Sequence, residues 1–290
     1  MGDLAELFSL EFMQRAFVAA VLIGAVTAIV GSYVVPRGLA FIGAGIAHAG
    51  FGGVTLGLLL GVNPLLMAIL FSAGTGLGIA TVAEAGGRRI KEDTAIGIFF
   101  AATMALGIFL IGFLHDYVMS IFSFLFGDIL AVTPQDLWIT LGLSAGVLGT
   151  ILLLYKEFLL ITFDPEMAQA EGFPVRILHR IFIVLIALTV AVALKVVGII
   201  LVSALLVIPA ATAYQLARSF RQLQLLAVGF SLLASLGGLF ISYFANTPSG
   251  ATIVLLATLI FFAVWGLGRL RQLRLSPPRW SQNQNRRGAA

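Results

Sequence analysis

The chain has 290 residues, of which 60% are hydrophobic and only 10% are charged, and its net charge at neutral pH is +4. Soluble domains carry about a quarter charged residues, so this composition excludes a soluble fold and leaves no room for a separate soluble domain. The absence of cysteine excludes disulfides, thiolate zinc sites and iron–sulfur clusters.

Apolar segments long enough to cross a bilayer as helices recur along the chain. They cover residues 16–35, 40–61, 65–85, 95–113, 137–155, 177–194, 199–217, 225–245 and 250–268. The predicted fold is therefore an all-α integral membrane protein, a polytopic bundle of about nine transmembrane helices, with eight or ten as alternatives. Residues 195–198 can be assigned either to a turn between two spans or to the middle of one long helix over 181–210. A buried Lys195 would cost about 2.5–3.5 kcal/mol, which favours a turn.

Three segments flank or interrupt these spans. Residues 1–15 predict a short amphipathic lead-in and lack the basic start and cleavage site of a signal peptide. Residues 117–132 are apolar but short and carry Asp128, which predicts an interfacial or re-entrant helix. Residues 269–290, rich in Arg, Gln and Asn, predict a basic, disordered cytoplasmic tail that either contacts anionic lipid or is simply solvated.

The distribution of basic residues orients the predicted bundle. With nine spans and the C-terminus inside, every Lys and Arg except Arg15 and Lys195 lies on the cytoplasmic side, as the positive-inside rule requires. We therefore expect an outside N-terminus and a cytoplasmic C-terminus, in a multi-pass protein of a prokaryotic plasma membrane.

The chain has no phosphate-binding loop of the form G-x-x-x-x-G-K-[ST], so we expect no ATP hydrolysis by this subunit. A Ser/His/Asp set and an H-E-x-x-H pair are absent as well. The sequence predicts no enzyme, and any nucleotide energy would come from a partner. No nucleic-acid partner is expected.

The second span combines small residues with a histidine. Gly45, Ala49, Gly53, Gly57 and Gly61 recur every four residues and predict a close-packing ridge. His48 lies beside this ridge, and an intramembrane imidazole is a candidate metal ligand. A histidine that is hydrogen-bonded between helices would give the same pattern.

Three polar regions outside the spans are candidate contacts. On the outer side His115, Asp116, Asp128 and Asp136 could attract cations or dock a partner, or could form a solvated acidic loop. On the cytoplasmic side, 156–176 could touch a partner or be a short surface helix between turns. The segment 209–225, with Arg218 and Arg221, either contacts a partner or merely obeys the positive-inside rule.

Five segments together resemble the ABC-3 family of permease subunits of zinc, manganese and iron importers. They are FIGAGIAHAGFGGVTLGLLLGVNP (41–64), EDTAIGIFFAATMALG (92–107), FDPEMAQAEGFPVR (163–176), VALKVVGIILVSALLVIPAATA (192–213) and SYFANTPSGATIVL (242–255). The resemblance covers nearly the whole chain.

The resemblance implies a homodimer with a central path, two cytoplasmic ATPase subunits and an extracytoplasmic metal-binding protein. It assigns His48 to the metal path. The segment Pro209, Ala210, Ala211, Thr212 and Ala213, with the following helix that includes Arg218 and Arg221, is assigned to ATPase coupling. Other family-like positions are Asp93, Asp164, Pro165, Gly172, Pro248 and Gly250.

The chain departs from the family at one position. Members often carry an acid four residues before the histidine, whereas Ala44 stands there in this chain, so other ligands would have to complete a site. We expect no permanently bound cofactor, only a transported divalent metal. Imidazole favours zinc over manganese by a small margin. A stand-alone cation channel or secondary transporter, and a permease for a bulky metal chelate, are the alternative functions.

Overall fold

A computed structural model describes residues 10–86, 90–114, 127 and 129–275 of the chain. Within these ranges the protein is helical, with no β-strand. The helices are α1 (Glu11–Val34), α2 (Ile42–Leu60), α3 (Pro64–Gly86), α4 (Glu92–Ile111), α5 (Pro134–Leu153), α6 (Tyr155–Phe163), α7 (Pro165–Ala170), α8 (Val175–Leu194), α9 (Val196–Tyr214), α10 (Phe220–Ala245) and α11 (Ser249–Leu275).

Nine helices in the described part of the chain are long and apolar enough to cross a membrane, which confirms the predicted bundle. They are all except the short helices α6 and α7. The stretch Val175–Tyr214 is broken at Gly198, whose φ of 79° and ψ of 167° are not helical. Glycine suits this position because a side chain is strained at positive φ.

The break at Gly198 reverses the chain, so that α8 and α9 form a hairpin. The ring of Tyr33, at the end of α1, lies 5.9 Å from Phe182 in α8 and 4.7 Å from Phe220, six residues after α9. The start of α8 and the end of α9 therefore share one end of the bundle, and 195–198 lies at the other. A single long helix over 181–210 is thereby excluded.

The two ends of the bundle differ in charge. The end marked by Tyr33, here called the basic end, holds Arg37, Lys156, Arg180, Arg218 and Arg221. The far end of α11 lies there too, because Trp265 and Arg269 border the turn at Gln215. The start of α1 lies at the opposite end, where Phe12 and Met13 share a pocket with Asn246 and Thr247.

The α8–α9 hairpin lies between two groups of helices. Helices α2, α3 and α4 pack on one another, while α5 and α10 both pack on α1, and the hairpin contacts both groups. Small residues permit a close approach of α2 to α3: a Cβ on Gly53 would lie 2.5 Å from the Met67 carbonyl oxygen of α3. Gly61 is different, because it ends α2 in the left-handed conformation with open space around it.

The flanking segments differ in part from the sequence analysis. Helix α1 already begins at Glu11, within the predicted lead-in, and α11 continues to Leu275, beyond the predicted end of the last span. Of the predicted interfacial helix over 117–132, residues 117–126 and 128 lie outside the described ranges, and Ile129–Ala131 forms one 3₁₀ turn. Residues 1–9 and 276–290 also lie outside them.

Candidate functional site

Over residues 42–57 helix α2 is buried except for one accessible stripe, on which His48 lies, and the last residues of the helix, 58–60, are accessible as well. Most of α2 is inaccessible, but Phe41 is 73% exposed, and Ala44, His48 and Leu56 are half-buried. These residues are spaced three, four and eight apart, so they share one face. The imidazole therefore reaches the surface of a single protomer rather than its core.

The His48 ring is held by two contacts. Its Nδ1 lies 2.8 Å from the carbonyl oxygen of Ala44, and its ring lies 4.5 Å from that of Phe100 in α4, at 59°. A carbonyl oxygen only accepts hydrogen bonds, so Nδ1 carries the proton in the neutral imidazole and Nε2 keeps its lone pair. This tautomer is suited to bind a metal ion through Nε2.

No group of three or more His, Cys, Asp or Glu side chains able to hold a metal ion occurs among the described residues. Within the described part of the chain, His48 therefore belongs to no such group. Ala44 supplies a backbone oxygen to the ring at the position where the sequence comparison expected a carboxylate. A complete metal site at this stripe needs ligands from a second copy, from backbone oxygens or from water.

Of the predicted outer-face contacts, His115, Asp116 and Asp128 lie outside the described residues. Asp136 is described and is 7% exposed. Its Oδ2 accepts hydrogen bonds from the backbone N–H of Thr133, at 3.2 Å, and from the Thr133 hydroxyl, at 2.7 Å. Together with Pro134 these residues form a capping box that starts α5, so this carboxylate has a structural use.

The predicted coupling segment divides into a buried part and an exposed part. Ala210 and Ala213 are inaccessible and pack on Ala28, Leu223 and Ala227. Pro209 and Thr212 are also buried, and Ala211 is half-buried. Exposure begins at Tyr214 and continues through the turn 214–219 to Arg221. A partner protein can therefore touch the turn, and the alanines position it.

The turn 214–219 is fixed at its far end by a helix cap. The Ser219 hydroxyl accepts a hydrogen bond from the Gln222 backbone N–H at 3.3 Å, and the Gln222 side chain accepts one from Arg218 N–H at 2.9 Å. These two hydrogen bonds satisfy one N–H in the first turn of α10 and one N–H in the turn that precedes it. The turn therefore has a defined conformation.

Asp164, Pro165 and Gly172 shape α7 at the basic end. Asp164 caps the helix by accepting a hydrogen bond from Met167 N–H at 2.9 Å, and Pro165 occupies its first turn. Gly172, with φ of 87°, ends the segment, and Phe173 N–H donates to Ala168 O at 3.0 Å. Only Ala168 of α7 is buried, so this short helix is a surface feature.

The remaining family-like positions lie at helix starts. Asp93 is exposed in the first turn of α4, where a carboxylate complements the helix dipole. Pro248 precedes α11, and its carbonyl oxygen accepts from the N–H and hydroxyl of Thr252, at 3.1 and 2.9 Å. Gly250 is the second residue of α11.

Arg37 is a structural centre of the basic end that the sequence analysis treated only as a loop charge. Its Nε donates to the Thr162 hydroxyl at 2.9 Å, one of its terminal nitrogens donates to the Phe158 carbonyl oxygen at 3.3 Å, and its guanidinium lies 4.2 Å from the Phe182 ring centre. Burial lowers the pKa of Arg37 to about 10, opposed by Glu92 and Tyr33. The side chain remains a cation at neutral pH.

One ion pair and one histidine–carboxylate contact tie α8 to the helices beside α2. His179 Nε2 lies 3.1 Å from Glu92 Oε1 of α4, and Arg180 lies 2.7 Å from Glu84 Oε2 of α3. Helix α4 carries Phe100 against His48. Helix α4 thus connects the basic end with the His48 stripe.

Comparison with known proteins gives a consistent result. The sequence pattern of the ABC 3 transport family matches residues 9–267. The "Manganese transport system membrane protein MntC" of Listeria monocytogenes is 41% identical over 259 residues, covering 89% of this chain and 91% of that protein. The "Manganese import system permease protein ScaB" of Streptococcus parasanguinis is 41% identical over 251 residues, covering 87% and 89%.

A solved structure agrees with these sequence relatives. A chain of PsaBC from Streptococcus pneumoniae, determined in complex with a Fab, superposes with a TM-score of 0.81 at 38% identity, covering 90% of this chain and 95% of that one.

Proposed function

Because the chain belongs to the ABC 3 transport family, we propose that it is the permease subunit of an ATP-driven importer that carries manganese into the cytoplasm. The chain is a multi-pass protein of the bacterial plasma membrane. Its basic end is then the cytoplasmic end. Manganese is the substrate named for the relatives at about 40% identity. The small preference for zinc drawn from His48 finds no support among these relatives.

The observation that carries the proposal is the place of His48. An ionisable side chain within a span is expensive and marks a functional position by default. Here it lies on the accessible stripe of a buried helix, with Nδ1 tied to Ala44 O, and Nε2 remains as the donor. Two copies of the chain that pair through this stripe would place two imidazoles along one central path.

A path with few protein donors is consistent with transport. Conduction requires that an ion bind strongly enough to enter and weakly enough to leave. Water and backbone oxygens suit manganese, which prefers hard oxygen ligands. Selective capture would then reside in an extracytoplasmic metal-binding protein that delivers the ion to the opposite end.

The partner at the basic end would be an ATPase subunit on each protomer. The turn 214–219 supplies exposed Tyr214, Leu216 and Arg218 on a fixed backbone. Rigid docking segments transmit movement better than flexible ones. The buried alanines of α9 would convey a displacement of this turn to α1 and α10, on which they pack.

The experiment that tests the proposal is manganese uptake by proteoliposomes that contain the chain, its ATPase and its binding protein. Uptake should require ATP and should stop when the ATPase is omitted. Uptake that persists without the ATPase would instead identify a stand-alone channel or secondary transporter. Uptake of a metal chelate that survives replacement of His48 would identify a chelate permease.

A further inference from the structure

An apolar groove on the membrane-facing side of the bundle forms a second candidate binding site. It lies between α5 and α10, which both pack on α1 and leave a furrow between them. Its volume is about 370 Å³, within the range of pockets that hold small ligands. The groove is on the far side of the α8–α9 hairpin from the His48 stripe, so it takes no part in the proposed path.

The groove changes character along its length. Leu148 and Leu152 of α5 face Leu225 and Val228 of α10 across it. Its polar side chains, Tyr155, Arg221 and Gln224, lie towards the end where α10 begins and α5 gives way to α6. Seven residues separate Arg221 from Val228, which makes the groove about 10 Å deep along the helix axis. That depth is within one leaflet of a bilayer.

Arg221 gives the groove a positive mouth. It is exposed, and within the described ranges it makes no hydrogen bond or ion pair. Tyr155, beside it, is an aromatic residue of the type found at headgroup level. Leu152 and Leu225 are 72% and 75% exposed, and at this depth the surrounding medium is lipid.

We propose that this groove binds an anionic phospholipid, with one acyl chain between α5 and α10 and the phosphate on Arg221. Basic pockets between spans on the cytoplasmic side recognise such headgroups. Two features of the groove define the occupant. The apolar furrow, which is one leaflet deep, fits an acyl chain, and the cation at its mouth fits a phosphate. The proposal concerns a site that is separate from metal transport.

The test compares lipids retained by the purified full-length chain in native mass spectrometry, after exchange into phosphatidylglycerol or phosphatidylcholine. The wild-type chain should retain phosphatidylglycerol preferentially. Arg221→Gln should lower that retention about fivefold, which corresponds to about 1 kcal/mol for one basic residue near a headgroup. Arg218→Gln is the matched control, because Arg218 is exposed only three residues before Arg221 but lies outside the groove, and it should change nothing.

A second pair of variants tests the acyl-chain part. Val228→Phe fills the groove and should lower retention of both lipids, whereas Leu233→Phe, an exposed position of α10 outside the groove, should not. Equal losses from Arg221→Gln and Arg218→Gln would show general surface attraction and overturn the proposal. Unchanged phosphatidylglycerol retention by Arg221→Gln, together with weaker ATPase binding, would also overturn the proposal. Arg221 would then be a protein contact.

Discussion

The His48 stripe and the basic end differ in the number of polar contacts that their side chains make. The stripe has one ionisable side chain, held by a backbone carbonyl and an aromatic ring. The basic end has a dense set of polar contacts around Arg37, the Arg180–Glu84 ion pair, the His179–Glu92 contact and two helix caps. A path must release what it binds, whereas a docking end must hold its shape. Under the proposed function, polar groups would be concentrated where rigidity is needed and sparse along the path of the ion.

The largest effect is expected from removing the imidazole of His48 from the stripe. His48→Ala should reduce manganese uptake roughly 10- to 100-fold, since even the loss of a second-shell partner at a metal site has effects of that size. Uptake by proteoliposomes measures it. Leu56→Ala, on the same half-buried stripe, is the matched control and should transport normally. If His48→Ala fails to assemble with the ATPase, the histidine is structural.

The basic end is tested by replacing its central cation. Arg37→Met should lower the free energy of unfolding by about 2 kcal/mol, because charged hydrogen bonds to Thr162 and Phe158 are lost. Thermal unfolding of the purified chain in detergent measures the change. Arg180→Met removes a more exposed ion pair with Glu84 and should cost less than about 1 kcal/mol. Equal losses would contradict a special role for Arg37.

The packing behind the stripe is tested with a single methyl group. Gly53→Ala should destabilise the chain by about 1–3 kcal/mol, because the added Cβ would meet the Met67 carbonyl oxygen at 2.5 Å. Gly74→Ala in α3 is the control, since nothing lies within 4 Å of the corresponding Cβ. Unfolding temperatures of the two variants give the comparison. A stable Gly53→Ala would mean that α2 and α3 can separate without penalty.

The smallest effect is expected from adding a carboxylate at position 44, and it tests what the absence of this acid does. Ala44→Asp would place an acid one turn from His48, on the same helix face. We expect the Michaelis constant for manganese uptake to fall a few-fold and the maximal rate to fall as well, because tighter binding slows release. Transport kinetics at varied manganese concentration separate the two effects. Ala44→Asn, which adds an oxygen without charge, should change both quantities less.

Periodicity and charge predicted most of the fold, and tertiary contacts explain the remainder. Apolar length alone placed the nine spans, and the cost of burying Lys195 predicted the hairpin that Gly198 makes. The contacts of Arg37 could not be predicted, because its partners Phe158, Thr162 and Phe182 are more than a hundred residues away in the chain. The contact of Phe100 with His48 was also missed, because Phe100 lies on a different helix and only the packing of α4 on α2 brings the two rings together.

The candidate site was only partly readable from the sequence. The four-residue spacing predicted that His48 lies beside a packing ridge. The hydrogen bond from its ring to Ala44 O could not be predicted, because it depends on the orientation of the side chain. In the coupling segment, the family resemblance pointed to 209–213 together with Arg218 and Arg221, and only the part from Tyr214 onward is exposed. Small residues in a span read alike whether they meet a partner protein or a neighbouring helix. Only the packing of Ala210 and Ala213 distinguishes the two.

The cap at Ser219 would have a kinetic consequence for the proposed complex with an ATPase subunit. A loop that must be ordered on association loses conformational entropy each time a partner binds. The turn 214–219 is already immobilised between packed Ala213 and the Ser219–Gln222 pair. Association can therefore proceed from the free conformation, and the lifetime of the complex will depend on the side chains that the turn presents.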